Sequence, residues 1–385
     1  MKANVLLAFT VLLCTVWWQS AGALKIRCGK LEEVVVADSG YSASTIATRF
    51  VEGWRPEGPM SFDIDKDGNV YILDRLALRV QKYDRDGKWI LSFPIKTEAQ
   101  KYEKTPRMYD VAADDSGYVY VAGELRVILD RAGKPILYNS IMKFSPDGKT
   151  LVLGQPEAMK RKPPFSFHRG ELISTDKSGR VVSFDSDFRD GATIHSPEGE
   201  FLGGVPHNRS YRDVGIVQKE VGDNIYFRKD TYLLRAKVQD RSHPPEIDTV
   251  AGLGGTLELN EDRLTEDGWV IGPTTLLGFY RDTCFYFLET ESRYHDRYNP
   301  TCLTLRIIKY FLIRGSLWGL GEVEIDFERG EDECSDRELF DFRKRFVVAG
   351  DGSIYFLHGT VDKIKVSKII PKPGCHRLTP DFYSE

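Results

Sequence analysis

Apolar and polar positions alternate with period two between Phe62 and Phe93, and each run of alternation ends at a tight-turn dipeptide. Phe62-Asp63-Ile64 and Val70-Tyr71-Ile72-Leu73 flank Asp67-Gly68, and Val80-Gln81-Lys82-Tyr83 and Trp89-Ile90-Leu91 flank Asp86-Gly87. Alternation turns one side of each segment inward, and Asp-Gly supplies the positive φ that a hairpin turn requires. The spacing predicts four antiparallel strands within residues 57–93.

The same unit recurs. A second copy runs from Tyr109–Val121 to Ile141–Leu153, with Arg126–Tyr138 read as an inserted hairpin turning at Ala132-Gly133. A third spans Leu172–Phe184 and Thr193–Leu202. A fourth is weaker: Val214–Val217 and Asn224–Phe227 around Gly222-Asp223, then Leu233–Val238. A fifth holds Leu276–Phe279, Cys284–Leu288, Leu303–Ile313 and Glu322–Ile325. The sixth shows three strands, Arg345–Ala349, Ser353–Leu357 and Lys363–Ile370, and Glu32–Ala37 near the other end supplies a fourth. Small sheets that cannot bury their faces alone stack into a closed ring. The expected architecture is therefore all-β: a six-bladed β-propeller of four-stranded antiparallel blades, its last blade completed by the N-terminal strand so that sheet edges are protected. Five blades follow if the fourth copy is not a blade, and seven if Arg126–Tyr138 belongs to another. Ser335–Glu338 resembles a capping box and predicts a short helix before Phe342. Arg293–Pro300 and Glu328–Arg337 read as charged insertions on one rim.

Composition narrows the setting. The chain has 385 residues, 41% hydrophobic and 29% charged, with a formal net charge of -4, so no global field favours nucleic acid or an anionic membrane. Lys2, the apolar stretch Val5–Trp18 and the small residues Ala21-Gly22-Ala23 read as a cleaved signal peptide, residues 1–23. Residues 24–385 then form one domain, secreted or periplasmic, expected to be monomeric and without a later membrane span. Export favours disulfides among Cys28, Cys284, Cys302, Cys334 and Cys375. Cys284 and Cys302 lie on successive strands of the fifth copy and are expected to face each other. Cys28 and Cys375 flank the two strands that close the sixth copy; Cys28 with Cys334 is the rival pairing, and buried thiols are the alternative to either.

Residues 65–74, 79–83 and 86–88 resemble NHL-repeat propellers, in which Asp-x-Asp-Gly-Asn-Val-Tyr-Val-x-Asp precedes Arg-Val-Gln-x-Phe and Asp-Gly-Lys. The resemblance implies short four-stranded blades and leaves activity open, because the fold hosts enzymes, binders and scaffolds. Glu57-Gly58-Pro59 resembles the start of gluconolactonase-like propellers, where the Glu holds a divalent metal on the axis. That implies calcium or zinc at Glu57 and a lactonase-like hydrolase or lyase. Another NHL-like enzyme, the amidating lyase, gathers zinc-binding His from separate blades; here His168 and His207 fall at blade entrances.

Asp63 to Gly68, with Asp74 further on, imitates the carboxylate spacing of a calcium loop, although a plain hairpin explains the same residues. Asn208-Arg209-Ser210 is a glycan acceptor if the chain is eukaryotic. Lys160-Arg161-Lys162 reads as a solvated loop. No Gly-x-Ser-x-Gly elbow, phosphate loop or Cys-x-x-Cys is present. The leading expectation is a non-catalytic binding module without a cofactor. It would take a protein or small-molecule ligand, and no nucleic acid, at a rim that includes Glu57, Arg107, His168 and Arg212, each just before an inner strand.

Overall fold

The computed structural model describes residues 24–27, 29–49, 57–102, 106–129, 132–153, 172–176, 179–184, 192–205, 212–214, 224–229, 232–237, 246–252, 263–264, 269–271, 275–280, 284–294, 300–313, 316–327, 346–360 and 362–371. They are all-β apart from one 3-10 turn, Glu98–Lys101. No helix among them is long and apolar enough to cross a membrane.

Four antiparallel four-stranded sheets follow the predicted units. The first sheet holds Phe62–Ile64, Val70–Asp74, Arg79–Tyr83 and Trp89–Pro94 in sequence order. The second holds Met108–Ala113, Val119–Leu129, Pro135–Phe144 and Thr150–Leu153. The third holds Leu172–Thr175, Val181–Phe184, Ala192–His195 and Phe201–Val205. A terminal sheet combines both ends of the described chain: Phe346–Val348, Ile354–Gly359, Lys363–Pro371 and then Gly29–Asp38, whose Val36 lies opposite Lys365 and Ala37 opposite Ile364.

The Arg126–Tyr138 hairpin forms with its turn at Ala132–Gly133: Arg126 pairs with Tyr138 and Leu129 with Pro135, and it lengthens the second sheet's middle strands. One expectation is corrected here: the fourth and fifth copies are not separate sheets. Residues from Arg212 to Phe327 join one eleven-stranded sheet, bridged by a parallel contact between Gly252 and Ser316. The cause is strand length. Pro300–Ile313 and Ser316–Phe327 run 14 and 12 residues, far beyond a typical strand of 5–6 or so. Their projecting ends offer unpaired edges, and Leu24–Arg27 takes one of them, with Ile26 opposite Ile325. The helix expected near Phe342 and the signal segment lie outside the described residues.

Sheets pack face to face. Tyr71, Leu73, Val80 and Phe93 of the first sheet meet Val111, Val121, Met142 and Phe144 of the second. Ala112, Tyr120 and Ile141 continue onto Ile173 and Val181 of the third. Leu277, Cys284 and Tyr286 of the large sheet meet Phe346, Phe356 and Ile369 of the terminal sheet. Val35, Leu357, Ile364 and Val366 of that sheet pack back on Phe62, Ile64 and Ile72 of the first. At their inner ends, Arg212–Val214 adjoins Thr275–Tyr280, which adjoins Phe346–Val348, then Phe62–Ile64, then Met108–Ala113, then Leu172–Thr175.

One register feature repeats and marks the units. A tyrosine on the second strand stands opposite a cation on the third: Tyr71 and Lys82, Tyr120 and Lys143, Tyr226 and Arg235, Tyr286 and Lys309, Tyr355 and Lys368. The third sheet replaces this pair with Val182 and Ile194. The ammonium lies over the ring at 5.1 Å for Lys82 on Tyr71, 5.4 Å for Lys143 on Tyr120 and 5.7 Å for Lys368 on Tyr355. The hydroxyls reach turns. Tyr71 donates to Asp65, and Tyr120 donates to Asp114 and to the Gly179 carbonyl of the next sheet. Tyr286 donates to the Gly352 carbonyl of the terminal sheet at 2.9 Å. These three posts thus fasten a sheet to a turn, and Tyr120 and Tyr286 cross to the next sheet.

Candidate functional site

Cross-sheet hydrogen bonds fix the relative direction of the inner strands. The Val111 amide donates to Ser61 Oγ at 3.0 Å and the Ala113 amide to Asp63 Oδ2 at 2.8 Å. The Ile173 amide donates to Asp110 Oδ2 at 2.8 Å, and Thr175 Oγ1 donates to the Ala113 carbonyl. Partners advance together along both strands, so these inner strands run parallel. All first-to-second and third-to-fourth strand turns of the first three sheets therefore share one end. Those turns are tight, with Gly68, Gly87, Gly117, Gly148, Gly179 and Gly199 all at positive φ. The opposite end carries the turn at Arg75–Leu78, the connection Ile95–Arg107 and the hairpin tip at Ala132–Lys134. The two ends differ in character: one is built of short closed turns, the other of longer connections.

The acidic side chains of the first strands and their turns are engaged. Asp63 and Asp110 are buried, and each also accepts the amide of the next residue, Ile64 and Val111. Asp65 accepts the amides of Asp67 and Asn69 and the Tyr71 hydroxyl. Asp114 accepts the amides of Ser116 and Tyr118, and Asp176 accepts the Arg180 amide and guanidinium. The calcium-loop spacing at Asp63–Asp74 is thus a hairpin turn with Asp65 capping it, and Asp74 points to a different partner set. Among the described residues no group of three His, Cys, Asp or Glu side chains is arranged to hold a metal. Replacing Asp110 with Ala removes the acceptor of the Ile173 amide across the sheets, while the Val111 amide keeps Ser61 Oγ. We expect a loss of about 1–3 kcal/mol, against about 1 kcal/mol for Ser61→Ala, read from urea unfolding midpoints.

Of the expected rim residues, Glu57 and Arg107 fall at the loop-bearing end. Glu57 is half-buried, and its Oε2 accepts the Arg49 Nε at 2.8 Å as well as an Nη2 of the same guanidinium; the two backbones also bridge. Arg107 is exposed, and its amide and carbonyl bond Glu124, whose other oxygen accepts the Tyr109 hydroxyl. Arg212 opens a strand of the large sheet. His168 lies outside the described residues, as do Cys28, Cys334 and Cys375. The structure brings Glu57 and Arg107 to one end and does not bring them into contact.

The register separates Cys284 from Cys302. Cys284 lies opposite Phe311, and Cys302 lies opposite Arg293. The nine positions from 284 to 293 are about 30 Å of strand, so the expected bridge between these two cysteines does not form. Cys284 sits buried among Leu277, Tyr286 and Phe346.

The most elaborate polar arrangement lies elsewhere, in the crevice between the terminal and first sheets. Asp74 is fully buried and accepts the amides of Ala47 and Ala77, each at 3.2 Å, and Arg79 Nε at 3.0 Å. Burial raises its carboxyl above the usual range, against the lowering pull of the Ala47 amide and Arg79. Arg79 Nη2 donates to the Thr45 carbonyl at 2.7 Å, and fully buried Gln81 donates from Nε2 to both the Ala43 and Thr45 carbonyls at 2.9 Å. Tyr83 and Ser92 hydroxyls donate to the carbonyls of Ser44 and Ala43. Trp89 Nε1 and Ser92 Oγ in turn hold the Gln81 oxygen. The segment so held, Ser39 to Arg49, follows the outermost strand of the terminal sheet and folds back on it, with the Gly40 amide on the Ile46 carbonyl and the Ile46 amide on the Asp38 carbonyl. Sequence reading assigned Arg79 and Gln81 to the repeat pattern alone. The usable signal was a long polar side chain at an inward-facing strand position.

No family model matches this chain, and no curated protein matches it. Solved structures do align with it. The virginiamycin B lyase from Staphylococcus aureus aligns at 12% identity and TM-score 0.40, over 81% of this chain and 94% of its own. YjhT aligns at 12% identity and TM-score 0.45, over 84% and 97%. A PQQ-bound aldose sugar dehydrogenase from Streptomyces coelicolor aligns at 11% identity and TM-score 0.40, over 91% and 100%. All three are β-propeller proteins. Scores below 0.5 at these identities say nothing about chemistry.

Proposed function

We propose that the chain is an exported, NHL-like six-bladed propeller that acts as a non-catalytic binding module through its loop-bearing end. One observation carries the reading: the acids of the first strands, Asp63 and Asp110, are spent on amides of the neighbouring sheet. A carboxylate that holds two backbone amides is a structural fastener and has little left for a metal or a proton-transfer step. Six units are supported by the five tyrosine–cation pairs plus the third sheet, and closure by the packing of the terminal sheet on the first. On this reading the large sheet is two blades fused at Gly252 and Ser316. The connections of unequal length at one end supply the variable surface on which binding residues concentrate. Arg107, His168 and Arg212 belong to that surface, and a Cys28–Cys375 bridge, or its rival Cys28–Cys334, would lock the chain ends.

The rival is a metal-dependent hydrolase or lyase with Glu57 as ligand. A guanidinium already pairs with that carboxylate, and a divalent cation would have to displace it. Elemental analysis of the purified chain separates the two. We expect no stoichiometric metal, no lactonase activity, and a change of no more than about 1 kcal/mol on Glu57→Gln, as for an exposed pair. A bound divalent ion that disappears in Glu57→Gln would overturn the binding-module reading.

A further inference from the structure

The connection from the first sheet to the second is fixed along its backbone and exposed along its side chains. The Ile95 amide donates to the Leu78 carbonyl at 2.8 Å, and Ile95 is buried. Ala99, inside the 3-10 turn, is fully buried, and the Tyr102 amide closes that turn on the Ala99 carbonyl at 2.9 Å. The Thr97 amide donates to Gln100 Oε1 at 2.9 Å. At the far end the Arg107 carbonyl accepts the Glu124 amide at 2.8 Å, and the Arg107 amide donates to Glu124 Oε2 at 3.2 Å. On this frame the side chains of Lys96, Lys101, Tyr102 and Arg107 stand in solvent, Tyr102 at 53% exposure.

The frame carries cations without counter-ions. Among the described residues no carboxylate pairs with the side chain of Lys96, Lys101 or Arg107. The acids at this end are already used: Glu57 pairs with Arg49, and Glu124 holds the Arg107 amide and the Tyr109 hydroxyl. The turns at the opposite end differ, with Arg85 beside Asp86, Lys149 beside Asp147 and Arg180 beside Asp176. The chain as a whole carries a formal net charge of -4, so this local excess of positive charge runs against its overall sign. An exposed tyrosine next to a lysine, with an arginine on the same connection, has the composition of a protein-contact surface, where Tyr and Arg are enriched and act as anchors. A nucleic-acid site neutralises more charge than this, roughly six to ten phosphates.

We propose that this connection is a docking surface for an acidic segment of another protein, with Tyr102 as its aromatic anchor and Lys96, Lys101 and Arg107 as its charge partners. The inference rests on the binding-module reading and names the class of partner that the loop-bearing end takes. The fixed backbone lowers the ordering cost of association. The cations speed the approach of an acidic partner and select it over a neutral or basic one. The ring supplies the contact that becomes buried.

The probe is a short fluorescein-labelled peptide of glutamate, aspartate and leucine, followed by anisotropy. It should bind the native chain, with affinity that falls as salt rises, and the same peptide with lysine in place of its acids should not bind. Lys101→Glu combined with Arg107→Glu should weaken binding at least about ten-fold. Lys66→Glu combined with Lys88→Glu changes the net charge equally, at exposed positions in turns of the opposite end, and should leave binding within about two-fold. Tyr102→Ala should cost about ten-fold. All five side chains stand in solvent, and the substitutions leave the backbone bonds of the connection in place. No binding of the acidic peptide, an equal loss in the two double variants, or tighter binding of heparin than of the peptide would overturn the proposal. Its failure is distinct from failure of the binding-module reading. A chain free of metal and lactonase activity that ignores the peptide keeps that reading and loses this partner.

Discussion

Raising the pH from 10 to 12 should unfold the protein cooperatively, with tyrosine ionisation and loss of β-sheet signal at the same midpoint. Tyr71, Tyr83 and Tyr120 are buried, and burial pushes their hydroxyls above the ordinary value of 10.0. Nearby carboxylates add to it: Asp65 for Tyr71, Asp74 for Tyr83 and Asp114 for Tyr120. Tyr355, less buried, is pushed up to about 12, again by burial first and then by Asp351. The sign follows from proton binding. These groups hold their protons longer folded than unfolded, so their stability is whole below pH 10 and is lost as pH rises. Each fully shifted group costs about 1.4 kcal/mol per pH unit, and three together roughly 4 kcal/mol per unit. Over the two units from pH 10 to 12 that is about 8 kcal/mol, comparable to the whole stability of about 5–15 kcal/mol of a typical domain. Absorbance of tyrosinate and far-UV circular dichroism, followed in one titration, check the coincidence. Tyrosinate appearing with a midpoint near 10 while the sheet signal persists would contradict the burial of these posts. Tyr120→Phe should lower the pH slope by about one proton and cost about 1 kcal/mol at neutral pH, because Asp114 and the Gly179 carbonyl lose a donor.

Asp74→Ala should be among the most destabilising single changes, at about 3–5 kcal/mol. Asp74 is fully buried, and the side chain of its partner Arg79 is 12% exposed. Truncation strands a guanidinium that keeps only the Thr45 carbonyl, and it strands the Ala47 and Ala77 amides as well. The loss lies in the unpaired charge left behind and not in the pair itself. Removing both partners with apolar residues of similar size, Asp74→Leu with Arg79→Met, should therefore recover a large part of it. Urea unfolding of the two single variants and the double one supplies the cycle. A double variant no more stable than Asp74→Ala would mean that the amides, and not the guanidinium, dominate. Because Ala47 also depends on Asp74, the single variant should raise proteolysis near Arg49.

How far the sequence could be read depended on the range of each interaction. In residues 57–153 the alternation and the Asp-Gly, Ser-Gly and Asp-Gly turns sit within a few residues of what they organise, and strand order followed directly. Between 205 and 330 the run Cys284-Phe285-Tyr286-Phe287-Leu288 is apolar on both faces. Such a run does not pin its own register, and the predicted facing of Cys284 and Cys302 failed there. The Arg126–Tyr138 hairpin was legible from its Ala132-Gly133 turn, but a turn signal marks only where a chain reverses, and its continuity with the second sheet's middle strands came from the structure.

Sequence alone determined the local elements and the repeat of a small sheet, since period and turn chemistry are short-range properties; the pairing of Glu32–Ala37 with Lys363–Ile370 was reached only by counting three strands in the last copy where the repeat needs four. Tertiary structure alone decided that Glu57 faces Arg49, that Asp63 and Asp110 fasten adjacent sheets, and that Asp74, Arg79 and Gln81 clasp a segment some 30 residues upstream. Those choices depend on which backbone groups arrive unsatisfied at a buried place. That is settled only when sheets distant in sequence pack together and water is expelled from between them.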